Sequence, residues 1–345
     1  MSEFFFRLTP DWVLRAVEAG GLRPTGHCTA LNSLENRVYD LRLTDDSHVV
    51  AKFYRPGRWS REAILEEHAF LEGLREAEIP VCAPLRFDDG ETLHEVEGIL
   101  YAVWPRTGGR PPDELGDEEI AILGRLLARI HNVGAVRETT HRPQLSAEVY
   151  AHKPLSLLEQ QGLLPQAYAR RYRDAVLELA SIYDECSLGI PTHRIHGDCH
   201  VGNLLRGNDG WFFVDFDDFV TGPAVQDVWM LLPGRDHEAA RQRERLIDAY
   251  RQFRDFETPW LRLVEPLRAL RFIHYAGWIA RRWQDPAFPP TFPHFGTDAY
   301  WEKETRDLES QLRLIAGTYD AKRDAPKSNE DAAQELTNKD FFWDL

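Results

Sequence analysis

The 345-residue chain is short of cysteine, of surplus positive charge and of long apolar runs. Its four cysteines, Cys28, Cys82, Cys186 and Cys199, are scattered and none forms a C-x-x-C pair. Neither a zinc knuckle nor a disulfide framework is indicated, and reduced thiols fit a cytoplasmic setting. Lysine and arginine number 41 against 56 aspartates and glutamates, a net charge of −15. Nucleic acid and anionic membranes both demand positive surface, so neither is expected as a partner. A nucleotide remains allowed, because it needs only a local cationic or amide-lined site. Phe4-Phe5-Phe6 is too short for the apolar core of a signal peptide, and nothing reaches membrane-spanning length. No internal repeat or low-complexity tract is visible.

What is present suggests two units, since 345 residues exceed one small domain. Thr9 and Pro10 read as the cap and first residue of a helix that stops at Gly20-Gly21. Tyr39, Leu41 and Leu43 alternate with Asp40 and Arg42 as in a half-buried strand. Thr44 to Ser47 is a turn, and His48 to Tyr54 the returning strand. Ser60 can cap a helix running to about Ala77, and Gly98 to Trp104 is a further strand. From Asp117 the chain turns helical. Ile120, Leu123, Leu127 and Ile130 mark one helix over 117–131, with others expected over 165–185, 236–253, 260–283 and 297–317. Short strands near Ile195 and over Trp211–Asp215 flank a loop. The expected class is α+β: an N-terminal antiparallel sheet lobe with one inserted helix over 1–104, and a larger, mainly helical lobe over 105–318. Residues 319–345 are polar up to Phe341-Phe342-Trp343 and read as a mobile tail.

The strongest signal is His196-Gly197-Asp198-Cys199-His200-Val201-Gly202-Asn203, with Asp215 twelve residues after Asn203. Phosphoryl transfer from ATP needs a carboxylate to take the proton of the attacking hydroxyl, hard oxygen ligands for Mg²⁺, and a cation on the phosphates. Asp198 supplies the first, and Asn203 and Asp215 the metal ligands, in the D-x-x-x-x-N spacing of a kinase catalytic loop. Two other readings compete. The alternation of His196, Asp198 and His200 suits a transition metal on a strand, and the same residues could belong to a structural turn. Only the kinase reading also employs Asn203 and Asp215.

The cation is Lys52, in Val49-Val50-Ala51-Lys52. A lone strand lysine usually faces solvent, so the assignment needs an acidic partner. On the helix wheel Ile64, Leu71 and Leu74 form an apolar stripe that contains Glu67, while Glu66 points elsewhere. An inward carboxylate needs a partner, which makes Glu67–Lys52 the expected ion pair. No G-x-G-x-x-G precedes Lys52; Leu31 to Arg37 stands in its place, and by itself reads as an ordinary Asn/Ser turn.

The H-G-D-x-x-x-x-N pattern with Val214-Asp215-Phe216-Asp217-Asp218 resembles the aminoglycoside phosphotransferase and choline kinase superfamily. Leu31 to Tyr39, Lys52-Phe53-Tyr54-Arg55-Pro56, Gly222 to Asp227 and Asp285 to Pro289 resemble, more closely, the bacterial stress response kinase A (YihE/RdoA) family, over about residues 5 to 315. The resemblance implies a two-lobed kinase-like fold, an ATP- and Mg²⁺-dependent Ser/Thr protein kinase of the cytoplasm, and Ser33 as an ATP contact. It implies that Asp227 braces the catalytic loop. His196 is expected to orient Asp198 or a backbone carbonyl, and His200 to be an ordinary loop residue. Asp217 stands where the familiar D-F-G has glycine, which disfavours a flip of that loop and leaves Asp217 open as a second Mg²⁺ contact. Trp278, Trp283 and Trp301 are expected in core or groove wall, and Arg281-Arg282 on a solvated face.

Three functions compete: a Ser/Thr protein kinase, a small-molecule kinase acting on a sugar, amino alcohol or aminoglycoside, and a non-catalytic nucleotide-binding module. The acidic surface leans toward a polycationic acceptor, and the family resemblance toward a protein. The intact set of Lys52, Asp198, Asn203 and Asp215 argues against the third. A monomer is expected.

Overall fold

The computed structural model describes residues 3–6, 8–208 and 210–317. The 319–345 segment, with Phe341-Phe342-Trp343, lies outside the described residues. The chain has an α+β fold with an antiparallel sheet near its N-terminus and a helical C-terminal region. Its described residues divide into two compact units, one formed by Met1–Arg142, Arg194–Phe219 and Ala240–Arg254, the other by Pro143–His193, Val220–Ala239 and Asp255–Leu345.

In the first unit, a short helix α1 (Glu3–Phe6) and α2 (Pro10–Ala19) precede β1 (Pro24–Leu31), β2 (Arg37–Leu43) and β3 (His48–Phe53). Helix α3 (Arg61–Glu76) follows, then β4 (His94–Val96) and β5 (Ile99–Pro105). The sheet order is β1-β2-β3-β5-β4, with antiparallel neighbours. Burial alternates along β3: Val49, Ala51 and Phe53 are buried and Val50 and Lys52 less so. This follows from the two-residue period of a strand. Val49, Ala51 and Phe53 join Val13, Val17, Tyr101 and Val103 in the core under α2. On the other face Val50, Ala102 and Trp104 pack with Ile64 of α3. Lys52 therefore sits on the middle strand, on the α3 side.

Helix α3 begins at Ser60, whose hydroxyl accepts the Ala63 N–H at 3.2 Å. Its buried stripe is Ala63, Ile64, Glu67, His68, Phe70, Leu71 and Leu74. Ile64, Phe70 and Leu74 are fully enclosed, and each such side chain contributes about 1.5–3 kcal/mol of burial. Helix α4 (Asp117–Gly134) buries Ile120, Leu123, Leu127 and Ile130, the expected stripe. At Gly124 it meets α8 (His237–Tyr250) so closely that a Cβ would lie 2.4 Å from the Leu246 carbonyl oxygen.

β6 (Thr192–Ile195) leads into the His196–Asn203 segment, and β7 (Leu204–Gly207) pairs with β8 (Gly210–Phe213) as a hairpin. β8 ends two residues before Asp215, short of the expected strand. β1 was not separately legible: Pro24 to Leu31 is mostly exposed and has no apolar alternation.

The second unit holds α5 (Lys153–Gln160), α6 (Gln166–Ser187), β9 (Val220–Pro223), α7 (Val225–Leu231), α9 (Val264–Arg282), α10 (Phe288–Thr291) and α11 (Asp298–Ile315). The helix expected over 260–283 is a 3₁₀ segment, Thr258–Leu263, before α9 takes over. Pro259 and Pro266 lack N–H groups and fit only such helix starts. Trp301 is fully buried against Tyr172, ring centroids 5.4 Å apart. The Arg281-Arg282 expectation fails by half: Arg281 is exposed, but Arg282 is buried with its guanidinium over the Trp278 ring at 4.9 Å. A planar, weakly hydrated cation tolerates such stacking.

Candidate active site

The segment from His196 to Asp215 is laced by its own polar groups. Gly197 has φ 81°, a left-handed turn that glycine accepts freely. His196 is fully buried, its Nε2 donating to the Val214 carbonyl at 2.9 Å while Nδ1 accepts the Asp198 N–H at 3.3 Å. The carbonyl selects the Nε2–H tautomer, and that leaves Nδ1 free to accept. His196 thus binds both the Val214 carbonyl and the Asp198 amide. Asn203 Nδ2 donates to the Asp198 carbonyl at 2.9 Å, and the Val214 N–H donates to the Asn203 carbonyl at 3.0 Å. The two strands of sequence that carry Asp198 and Asp215 are thereby held in register. His200 is more than a loop residue: its Nδ1 accepts the Gly202 N–H at 3.1 Å, and its Nε2 lies 3.6 Å from Asp198 Oδ2.

Asp215 has φ 59° and ψ 65°, a left-handed conformation that a non-glycine residue adopts at a cost. Its side chain is 58% exposed and lies 3.4 Å from Lys52 Nζ. Asp217, two residues on, is buried. Its Oδ1 is 2.9 Å from Lys52 Nζ, and its Oδ2 accepts from Arg58 and from Asn36 Nδ2, the latter at 3.1 Å. Phe216 between them packs on His196 at 4.4 Å and on Phe70 at 5.8 Å.

Glu67 faces inward, 2% exposed, and pairs with Lys52 at 4.0 Å, the long end of an ion pair. Its near partner is Arg142, with Nη2 to Oε2 at 2.9 Å. Arg142 is wholly buried between Trp59 and Phe219, at 4.3 and 4.5 Å, and donates also to the carbonyls of Ala63 and Asp217. A guanidinium holds such a fork of donors where an ammonium cannot. Burial pushes the Glu67 carboxyl up to about 7, with Lys52 and Arg142 pulling against it. Burial opposes the Lys52 ammonium, yet Asp217, Glu67 and Asp215 outweigh it and raise its pKa above the ordinary lysine value. Glu66 points away from the stripe, as the wheel requires, but is not idle. Its carboxylate accepts the backbone N–H groups of Thr140 at 2.7 Å and Arg142 at 3.1 Å.

Ser33, Lys52, Glu67 and Asp215 share the wall of one cleft of about 420 Å³, together with Val50 and Trp104. Asp198 and Asn203 are outside that wall. Ser33 Oγ accepts the Asn36 N–H at 3.3 Å, so the hydroxyl closes its own loop. Asp227 is fully buried in α7.

The residues suit a hard divalent cation. Asn203 spends its amide nitrogen on Asp198, which leaves its oxygen available, and Asp215 keeps an exposed carboxylate. No cluster of three or more His, Cys, Asp or Glu that could hold a metal is found among the described residues.

Residues 27–264 match the model of the phosphotransferase enzyme family. Stress response kinase A of Escherichia coli strain K12 is 40% identical over 316 residues, 91% of this chain and 96% of that protein. Serine/threonine protein kinase RdoA of Salmonella typhimurium strain LT2 is 40% identical over 312 residues, 90% of this chain and 94% of that one. The chain belongs to the stress response kinase A family. Within the wider phosphotransferase family its fold is shared by solved kinases of low identity. The amicoumacin kinase hAmiN superposes with a TM-score of 0.70 at 19% identity, covering 92% of this chain and 98% of that one. The choline kinase LicA from Streptococcus pneumoniae gives 0.61 at 17%, covering 87% and 98%.

Against this family background, the residues that sequence reasoning missed are Arg58, Arg142 and Asn36. Arg58 follows Lys52 across the Pro56-Gly57 turn, and Asn36 ends the loop that replaces a glycine-rich one. Their partners in Asp217 stand 159 and 181 residues away, and no local period marks such a contact.

Proposed function

We propose that this chain transfers the γ-phosphoryl group of ATP, with Mg²⁺, to serine or threonine hydroxyls of proteins. The observation that carries the reading is the Asn203–Asp198 hydrogen bond at 2.9 Å. It makes one short loop offer a carboxylate to the acceptor and an amide oxygen to the metal. Asp198, 23% exposed at its side chain, takes the proton of the attacking hydroxyl as the new oxygen–phosphorus bond forms and ADP leaves. Asn203 and Asp215 would hold Mg²⁺, which when bound neutralises charge on the phosphates. Lys52 steadies the α- and β-phosphates. Ser33 and the backbone amides around it would hydrogen-bond phosphate oxygens, and Glu67 supports Lys52 through the shared charge cluster.

The name of the Salmonella typhimurium relative, a serine/threonine protein kinase, supports a protein acceptor. The relatives' naming as stress response kinases supports a role in stress response. The division into a nucleotide lobe over 1–104 and an acceptor lobe over 105–318 is part of this reading, as is a cytoplasmic monomer. None of Cys28, Cys82, Cys186 and Cys199 is disulfide-bonded, which suits that compartment. No helix among the described residues is long and apolar enough to cross a membrane.

A small hydroxyl compound is the second acceptor class, favoured by the net charge of −15 if that compound is cationic. Incubation with labelled ATP, Mg²⁺, a generic protein substrate and a panel of amino alcohols and aminoglycosides separates the two. Label in protein is expected. Label only in a small molecule overturns the acceptor, and no transfer to either overturns the catalytic reading.

A further inference from the structure

Three carboxylates surround Lys52, and they are not equivalent. Asp217 Oδ1 is 2.9 Å from Nζ, Asp215 Oδ1 is 3.4 Å away and Glu67 Oε1 is 4.0 Å away. The contact with Asp217 is an ion pair at close range and not an aligned hydrogen bond. Glu67 has a nearer partner in Arg142. Asp215 is exposed and accepts a hydrogen bond from Lys52 Nζ at 3.4 Å. Only Asp217 combines burial with proximity, its side chain 4% exposed.

The second oxygen of Asp217 is also committed. Oδ2 accepts from the Arg58 guanidinium and from Asn36 Nδ2. Asn36 is the last residue of the 31–36 loop, and its Oδ1 accepts the Arg55 N–H at 3.2 Å. The same arginine donates to the carbonyls of Glu35 at 3.0 Å and Leu34 at 2.8 Å. The loop that stands in place of a glycine-rich one is thus tied to Asp217 on one side and to the β3 exit on the other. A Mg²⁺ ion at Asp217 would have to share a carboxylate already neutralised by a lysine and an arginine, so Coulomb repulsion disfavours it there. Asp215 faces the same ammonium at 3.4 Å, but its 58% exposed side chain lets water screen that charge.

We propose that Asp217 is the counter-ion that holds Lys52 and the 31–36 loop in position for the nucleotide phosphates, a positioning residue and not a second metal ligand. The inference rests on the kinase reading above and assigns to Asp217 the task that most kinases give to a helix glutamate. Glu67 lies nearer Arg142, which fastens α3 to the Asp217 backbone. This chain's departure from D-F-G then has a physical reason: a glycine there could neither hold the lysine nor reach the loop.

The test is a binding measurement, with a fluorescent ATP analogue titrated in chelator and again with Mg²⁺. Wild type, Asp217→Asn, Lys52→Met and the double variant form a cycle. Asp217→Asn is expected to weaken metal-free binding at least threefold in the wild-type background and to have no further effect beside Lys52→Met. Half-saturating Mg²⁺ stays within twofold. Metal-free affinity that is unchanged or raised in Asp217→Asn, or a tenfold rise in half-saturating Mg²⁺, overturns the proposal. Asn36→Ala keeps every charge in place and tests the loop tether even if Asp217→Asn fails to fold. It should also weaken metal-free binding at least threefold, and unchanged affinity refutes the tether. If the wild type binds no nucleotide at all, the functional reading falls and not this assignment.

Discussion

Asp215 and Asp217 lie on one turn and live in opposite surroundings. Asp215 is 58% exposed, in a left-handed backbone conformation, with an ammonium at 3.4 Å. Asp217 is buried under Lys52, Arg58 and Asn36, and its backbone carbonyl is held by Arg142 at 2.6 Å. The wider regions differ in the same way. The loop from His196 to Asn203 leaves the Asp198 side chain 23% exposed to solvent, whereas the cluster of Glu67, Arg142, Arg58 and Asp217 is enclosed and pairs its charges with one another. Groups intended for exchange with a ligand must retain unused lone pairs. Groups that hold geometry must have theirs filled, because an unpaired charge away from water is costly.

The most drastic way to sharpen that contrast is at Asp198. Asp198→Asn should lower turnover by about 10² to 10⁴, the usual worth of a general base, with nucleotide affinity near that of wild type. Steady-state kinetics beside a binding titration check it, and a loss under about threefold would remove Asp198 from the role of base.

On the buried side, Arg142→Ala leaves Glu67 enclosed beside a vacant site. A broken buried pair costs about 3–5 kcal/mol, so the denaturation midpoint should fall steeply. Arg142→Lys should recover little, because an ammonium cannot reach Ala63, Asp217 and Glu67 together. A variant with wild-type stability in urea would contradict the idea that the cluster holds the fold.

Asp215→Ala should abolish the Mg²⁺ enhancement of nucleotide binding, at least tenfold, while metal-free binding persists. Equal Mg²⁺ dependence in mutant and wild type would mean that the metal is held elsewhere.

Smaller still is an effect of acid. Asp217 is opposed by burial, but Arg58, Lys52 and the Arg142 guanidinium hold its pKa below the ordinary carboxyl value of 3.8. A depressed folded pKa stabilises the protein above the unfolded value and loses that contribution as pH falls through the folded one. Between pH 7 and pH 3, wild type should lose more stability than Asp217→Asn. Parallel curves of unfolding free energy against pH would show that Asp217 carries none of the acid sensitivity.

The smallest expected effect lies at the surface. Arg42 and Asp46 pair at 2.7 Å with side chains 51% and 79% exposed. Arg42→Ala should change stability by about 0.5 kcal/mol or less, as exposed pairs do. A larger loss, read by thermal melting, would blur the contrast between exposed and enclosed charge.

By itself the amino-acid sequence determined what depends on short spacing. The D-x-x-x-x-N loop lies within one turn of chain, so Asp198 and Asn203 could be named together. The Val49-Val50-Ala51-Lys52 strand marked Lys52, and the helical period turned Glu67 inward and Glu66 away. Each of these is a local periodicity, readable without knowing what packs against it. Tertiary structure alone decided which charges met. Glu67 found Arg142, 75 residues off, at closer range than Lys52, and Glu66 found the amides of Thr140 to Arg142. Lys52 turned to a carboxylate that arrives on a distant turn. Ion pairing is set by through-space distance and burial, and a linear pattern carries neither.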